Sequence, residues 1–154
     1  MLVANAPAPD FTLPSLHGPP VTLSQLWRTN AVLLVFFKIS CPTCQFTFPY
    51  LERIHRGTPG TRLIAISQDN AANTGLFVRE FGVTLPTLLD LKPDYAASTA
   101  FGISSVPTLF LIEPGGTVAW AEAGFDRARL TALGQHAGVE TFAPGDRAPA
   151  FQPG

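Results

Sequence analysis

The feature that most constrains this chain is an apolar run that leads, within a few residues, into two closely spaced cysteines. The run covers residues 31–37 and is apolar on both alternating faces, as in a strand buried on both sides of a sheet. The segment Cys41-Pro42-Thr43-Cys44 follows, and Pro42 suits the first position of a helix that we predict to extend to about Arg56. The junction therefore predicts a buried strand, a short turn and a helix that carries a dithiol at its N-terminus.

The remaining apolar runs and helix signals predict a mixed sheet. Two strand–helix units imply right-handed parallel crossovers, and a Pro-Gly-Gly turn after the last long apolar run implies an antiparallel pair at the other edge. The predicted fold class is α/β, with a mixed central sheet and helices on both of its faces. The further predicted elements are extended pieces at 11–13, 21–23, 62–67, 86–90, 108–112 and 117–121, and helices from Asp69 or Asn70 to Phe81, from Pro93 to Phe101 and from Asp126 to His136.

Composition limits the domain count and the classes of partner. The chain has 154 residues, of which 46% are hydrophobic and 14% charged, and this is enough for one domain with a full core. We predict a domain at 1–137 and a tail at 138–154 that is rich in Gly and Pro. This tail shows no periodicity, so we expect it to be mobile, as chain termini usually are; the alternatives are the remnant of a second module or a segment that packs on the domain. The formal net charge of −1 gives no basis for nucleic-acid binding.

No targeting segment is visible at the N-terminus, and the longest apolar run is far too short to span a bilayer. We therefore expect a cytoplasmic protein that does not contact a membrane. We also expect a monomer or a weak dimer.

The dithiol has a direct chemical interpretation. A separation of three residues at the start of a helix brings the two sulfurs within bonding distance without distortion. The helix N-terminus offers free N–H groups and a partial positive charge to Cys41, which favours the thiolate. Cys44 lies one turn further into the helix and lacks these interactions with the helix N-terminus. We therefore predict that Cys41 attacks a substrate disulfide and that Cys44 then attacks the mixed disulfide and releases the reduced substrate.

Other interpretations of the two cysteines are open at this point. A structural zinc site needs about four ligands, and His17, His55 and His136 are far apart and lack the spacing of a zinc finger. Two inert core cysteines fit a strand-to-helix junction poorly. A peroxidase is a further interpretation, because the same activated thiol at Cys41 could be its attacking group. No metal or organic cofactor is expected for dithiol exchange.

Four segments together carry a family resemblance over about residues 8–137. They resemble the thioredoxin-like superfamily, and within it the redoxin branch of TlpA- and ResA-like thiol–disulfide oxidoreductases, which is related to the AhpC/TSA proteins. The matching segments are Ala8–Leu13 with Val21–Ser24, Val35–Phe37 through the dithiol to Leu51, Pro86–Asp90, and Phe101–Ile112.

The resemblance implies a thioredoxin fold and a set of substrate-binding residues. It implies that Val106-Pro107 is a cis peptide that faces the dithiol, and that the backbone before this proline pairs with the bound substrate. Pro42 and Thr43, between the cysteines, belong to the same predicted surface. The implied substrate is a protein or small-molecule disulfide. The electron donor is not identified by the sequence, and the only redox group is the Cys41–Cys44 pair.

The chain departs from the family pattern around the dithiol. Val35 occupies the position of a buried acid in thioredoxins, and Thr47 occupies the position of a glutamate in ResA-like proteins. Ser40 replaces the tryptophan that commonly precedes the first cysteine. The proton acceptor for Cys44 is therefore not apparent.

Cys41-Pro42-Thr43 also resembles the peroxiredoxin motif. Peroxiredoxins need a threonine three residues before the reactive cysteine, where this chain has Lys38. A peroxide oxygen would lose a positioning hydrogen bond there. A thiol peroxidase is therefore our second hypothesis, and a redox-sensing or binding module on the same fold is the third.

Overall fold

A computed structural model describes residues 1–57 and 61–154 of the chain. Over these residues it contains a five-stranded mixed sheet with helices on both faces, and two small two-stranded sheets. The elements are β1 (Thr12–Leu13), β2 (Val21–Thr22), α1 (Leu23–Leu26), β3 (Ala31–Phe37), α2 (Pro42–His55), β4 (Thr61–Ser67), α3 (Ala71–Glu80), β5 (Thr87–Leu89), α4 (Ala96–Phe101), β6 (Thr108–Ile112), β7 (Val118–Ala123), β8 (Phe125–Asp126), α5 (Arg127–His136) and β9 (Phe151–Gln152).

The central sheet has the strand order β5-β4-β3-β6-β7. β3 pairs in parallel with β4 on one side and antiparallel with β6 on the other, and β7 continues the antiparallel half. The predicted parallel and antiparallel halves are both confirmed. Every residue of β3 from Val32 to Phe37 has no exposed surface, which explains why the sequence of this strand is apolar without alternation.

Each face of the sheet packs its own core. The residues of β3 that point to one face pack with α2, α3 and α5, and those that point to the other pack with α1 and α4. Phe48 of α2 and Phe77 of α3 contact Phe37 from the first face, with ring centroids 4.7 and 5.1 Å away. The layered arrangement fixes the start of α2, and with it the dithiol, at the end of the central strand.

One predicted helix begins later than expected. The helix predicted from Pro93 starts at Ala96, because Tyr95 adopts a left-handed backbone conformation with φ of 42°. The carboxylate of Asp90 accepts hydrogen bonds from the backbone N–H groups of Ala97 and Ser98 at 3.1 and 2.7 Å. These bonds satisfy the free N–H groups of the first turn and define where the helix begins.

The C-terminal tail, which we expected to be mobile, makes defined contacts with the domain in this structure. Thr141 is buried, and its hydroxyl donates to the carbonyl oxygen of Leu130 in α5 at 3.0 Å. Arg53 of α2 pairs with Asp146 at 2.6 Å. β9 then pairs antiparallel with β8. The sequence of the tail lacks periodicity because its contacts are made residue by residue and not along one helical or strand face.

Within residues 1–57 and 61–154, no helix combines the length and the apolar character needed to cross a membrane.

Candidate functional site

Cys41 is the N-cap residue of α2, at the carboxyl end of the central strand. Its backbone is extended, and its sulfur accepts a hydrogen bond from the backbone N–H of Cys44 at 3.1 Å. This bond occupies one of the free N–H groups at the helix start, and a thiolate accepts it more strongly than a thiol does. Cys41 is partly exposed, so an incoming sulfur can reach it. This geometry is the one that the spacing of the sequence predicts for a nucleophilic cysteine.

Cys44 lies in a different environment. It has no exposed surface and packs within the same core cluster as Val35 and Phe48. Burial raises the pKa of the Cys44 thiol above its ordinary value, and its interaction with Cys41 raises it further. The reduced protein therefore holds Cys44 as a neutral thiol at ordinary pH.

The two positions that carry carboxylates in similar proteins offer no base to Cys44. Val35 is fully buried in β3. Thr47 is also buried, and its hydroxyl donates to the backbone carbonyl oxygen of Thr43 at 2.6 Å. The proton of Cys44 therefore has no carboxylate acceptor at either of these positions.

The Val106–Pro107 peptide bond is cis, as the family resemblance implies, and it lies beside the dithiol. The Cys41 thiol donates to the carbonyl oxygen of Val106 at 3.4 Å. Pro107 is buried, and its carbonyl oxygen accepts from the N–H of Gly124 at 2.7 Å, which ties this loop to the end of β7. One flank of the site is therefore the start of α2, and the other flank is the loop at Val106.

Pro42 and Thr43, the other two predicted binding residues, differ in their exposure. Pro42 is exposed at the first turn of α2, whereas Thr43 is buried. The Thr43 hydroxyl donates to the carbonyl oxygen of Pro153 at 2.7 Å, so the C-terminal segment reaches the site. Sequence reasoning missed this contact, because nothing in the composition of the tail indicates where it lies.

Sequence reasoning also missed the residues that hold the turn before Cys41. The carboxylate of Asp69 accepts from the N–H of Ile39 at 2.9 Å, and the side-chain amide of Gln45 donates to the Ile39 carbonyl oxygen at 2.9 Å. Asp69 lies two residues after the end of β4, and parallel strands end at the same edge of a sheet. That rule could have placed Asp69 next to the dithiol.

The part of the chain that the structure describes contains no cluster of three or more His, Cys, Asp or Glu side chains that could hold a metal ion. Both thiols are free in this structure.

A cysteine pair at the start of a helix, beside a cis-proline loop and at the end of a central strand, defines a thioredoxin-like dithiol site. Solved structures show the same fold. The thioredoxin domain of a thiol-disulfide oxidoreductase from Bacteroides vulgatus superposes with a TM-score of 0.79 at 20% identity, covering 89% of this chain and 99% of its own. A thiol:disulfide interchange protein of the thioredoxin family from Chlorobium tepidum superposes with a TM-score of 0.72 at 21% identity, covering 89% and 99%.

The chain belongs to the AhpC/TSA family, whose model matches residues 4–121. The thiol-disulfide oxidoreductase ResA of Bacillus subtilis is 32% identical over 114 residues, which make up 72% of this chain and 62% of that protein. The ResA of Geobacillus thermodenitrificans is 28% identical over 120 residues, or 76% of this chain and 67% of that protein. The chain thus spans about two thirds of the length of these relatives. The resemblance to the redoxin branch that the sequence predicts is confirmed.

Proposed function

We propose that this protein is a thiol–disulfide oxidoreductase in which Cys41 is the nucleophile and Cys44 the resolving thiol. The observation that carries the proposal is the contrast between the two cysteines. Cys41 is partly exposed and accepts an N–H hydrogen bond at the helix start, whereas Cys44 is buried and its pKa is raised. Such a contrast favours attack by Cys41 and delays reaction of Cys44 until a mixed disulfide has formed.

The reaction conserves atoms and electrons within the two thiols and the substrate. The Cys41 thiolate attacks one sulfur of the substrate disulfide, forms a Cys41–substrate disulfide and displaces the first substrate thiolate. The Cys44 thiolate then attacks Cys41 Sγ, forms the Cys41–Cys44 disulfide and displaces the second substrate thiolate. The substrate gains two electrons and two protons, and the protein loses the same number. A dithiol reductant is needed to restore the protein.

The substrate that we propose is a disulfide, in a protein or in a small molecule, that enters between Thr43 and Val106. The relatives named above are thiol-disulfide oxidoreductases, which supports a disulfide substrate. Pro42 and Pro107 belong to the same proposed binding surface. No resident metal or organic cofactor is part of this proposal. The cytoplasmic location and the monomeric or weakly dimeric state stay predictions, which cell fractionation and sedimentation test.

The second step of the proposed reaction depends on how Cys44 loses its proton. Its burial disfavours the thiolate, and Val35 and Thr47 supply no carboxylate. We expect the first step to be fast and the second to accelerate steeply as the pH rises. A release of the second substrate thiol that did not depend on pH would contradict this mechanism.

The deciding experiment compares the wild type with Cys41→Ser and Cys44→Ser, each reduced and then mixed with a protein disulfide such as insulin. We expect no exchange by Cys41→Ser. We expect Cys44→Ser to form a mixed disulfide that can be isolated and that does not resolve. The same proteins are then given hydrogen peroxide. Rapid peroxide turnover without disulfide exchange would overturn the proposal in favour of a thiol peroxidase, and turnover of neither substrate would favour a binding module.

A further inference from the structure

The C-terminal segment at residues 149–154, called the strap below, lies across the entrance to Cys41. The carbonyl oxygen of Pro153 accepts from the Thr43 hydroxyl at 2.7 Å on one flank of the site. On the other flank, Gly154 lies so close to Val106 that a Cβ at Gly154 would collide with the Val106 carbonyl oxygen. The same carbonyl oxygen accepts from the Cys41 thiol at 3.4 Å. The strap therefore contacts both flanks between which an incoming disulfide has to pass.

The tail that ends in the strap has two parts, of which the first is held by buried side chains and the second, the strap, is mostly exposed. The preceding part is tied to the core through buried Thr141 and through the Arg53–Asp146 pair, and Phe142 stacks against Tyr50 at 4.7 Å between ring centroids. The strap itself is exposed from residue 150 onward. Exposed hydrogen bonds with few buried contacts open at low free energy, so the strap can lift while the anchored part stays in place.

A small number of hydrogen bonds holds the strap. The backbone N–H of Arg127 donates to the Ala150 carbonyl oxygen at 3.0 Å, and β9 within the strap pairs antiparallel with β8. The register places Gln152 opposite Phe125. The strap thus occupies its position as an extended segment paired through its backbone, which is also how an extended peptide adds to an exposed strand edge.

We propose that the strap is an intramolecular occupant of the substrate groove and so a specificity-determining segment. This inference rests on the proposed function. With the strap in place, a disulfide in a folded protein meets a chain segment where its own backbone would have to lie. A small disulfide does not need the backbone position that the strap occupies, so we expect it to reach Cys41 with the strap in place. Val106 also lines a polar cavity of about 320 Å³, together with residues that include Lys38, Gln68, Ser104 and Ser105. Protein disulfides must first displace the strap.

The first test compares Gln152→Pro with Gln152→Ala in the 154-residue protein. Proline removes the backbone N–H that the register sets opposite Phe125, whereas alanine removes the same side chain and keeps that N–H. Loss of one backbone hydrogen bond should raise the population of the lifted strap by about twofold to tenfold. Gln152→Pro should therefore reduce insulin faster by about the same factor. Gln152→Ala should match the wild type. Reduction of bis(2-hydroxyethyl) disulfide should be the same for all three proteins.

The rates of the two disulfides distinguish the possible causes. Faster reaction with insulin alone supports the strap as a barrier to large substrates. Equal acceleration with both disulfides would overturn it, because the variant would then have altered the reactivity of Cys41 and not access to it. Unchanged insulin reduction by Gln152→Pro would also overturn it.

A second measurement follows the strap without relying on turnover. Hydrogen exchange of the Arg127 amide reports on the strap, because that N–H donates to Ala150, whereas the Arg129 amide donates to Asp126 and serves as an internal control. In the isolated mixed disulfide of Cys44→Ser with insulin, we expect Arg127 to lose protection and Arg129 to keep it. If the mixed disulfide forms and Arg127 stays protected, the strap proposal is wrong and the proposed function stands. If no mixed disulfide forms, both fail.

Discussion

The burial of Cys44 makes a quantitative prediction about how the stability of the reduced protein depends on pH. The perturbation is Cys44→Ala, compared with the wild type across the alkaline range. The ordinary pKa of a cysteine thiol is 9.0, and burial raises the pKa of Cys44 above this value in the folded state. Above pH 9.0 the unfolded chain therefore loses the Cys44 proton while the folded protein keeps it.

The sign and size of the effect follow from this difference in proton binding. A raised pKa in the folded state stabilises the protein fully below the unfolded pKa, and the contribution is lost as the pH rises toward the folded value. The wild type should therefore lose about 1.4 kcal/mol relative to Cys44→Ala by about pH 10, and about 2.7 kcal/mol by about pH 11. Below about pH 8 the difference between the two proteins should be constant.

The assay is urea unfolding of both reduced proteins, at intervals from neutral to alkaline pH, in the presence of a non-thiol reductant. Groups that do not interact with Cys44 contribute equally to both proteins and cancel in the difference of their free energies of unfolding. A difference that stays flat between about pH 8 and pH 10 would refute the reasoning, because Cys44 would then ionise as readily in the folded protein as in the unfolded chain.

Two further predictions concern the carboxylates that tie α2 to its surroundings. The buried Glu52 accepts three hydrogen bonds from residues 84–85 at 2.6 to 3.0 Å, so Glu52→Leu should cost about 3 kcal/mol in urea unfolding and Glu52→Gln, which keeps an acceptor, only about 1 kcal/mol. Equal costs would contradict this assignment. The hydrogen bond from Arg53 holds the pKa of Asp146 below its usual 3.8, so the stabilisation is present above that pH and is lost as the pH falls through the lower folded value. Asp146→Asn should therefore lower the melting temperature above pH 3.8 and lose its effect in stronger acid, whereas the exposed Glu140→Gln should have no effect at either pH.

The sequence predicted the central part of the fold because that part follows from local patterns. An apolar run without alternation indicates a strand covered on both faces, and residues 31–37 form such a strand. Asn70 and Asp126 were predicted helix starts, and they are the N-caps of α3 and α5, where their side chains accept from the N–H groups of Asn73 and Arg129. Cap residues act within one turn of the chain, so they can be recognised without knowledge of the tertiary structure.

The helix predicted from Pro93 to Phe101 is present, but its predicted start was three residues too early because the start depends on a residue outside the segment. Asp90 supplies the acceptors for the first turn, and the left-handed Tyr95 directly precedes the helix. Neither feature can be detected from the spacing of apolar residues along the helix itself. A pattern read along a single segment cannot detect a cap that another segment provides.

The sequence by itself determined the chemistry of the dithiol. The spacing of Cys41 and Cys44, with Pro42 between them, sets one sulfur at the helix start and the other one turn inside, whatever the rest of the chain does. Burial of Cys44 then follows from the helix lying against the sheet. The placement of the two sulfurs depends on helix geometry, which is local, whereas the burial of Cys44 also requires α2 to pack against the sheet.

Only the tertiary structure decided what surrounds that dithiol. Asp69 and Val106 come from distant points of the chain, and the strap at 149–154 reaches Thr43 across 110 residues of sequence. The tail contains no periodic pattern, because it is held by backbone pairing and by single side chains that belong to other elements. Its position over Cys41 is therefore a property of the packed domain, and the strap proposal could not have been made from the sequence alone.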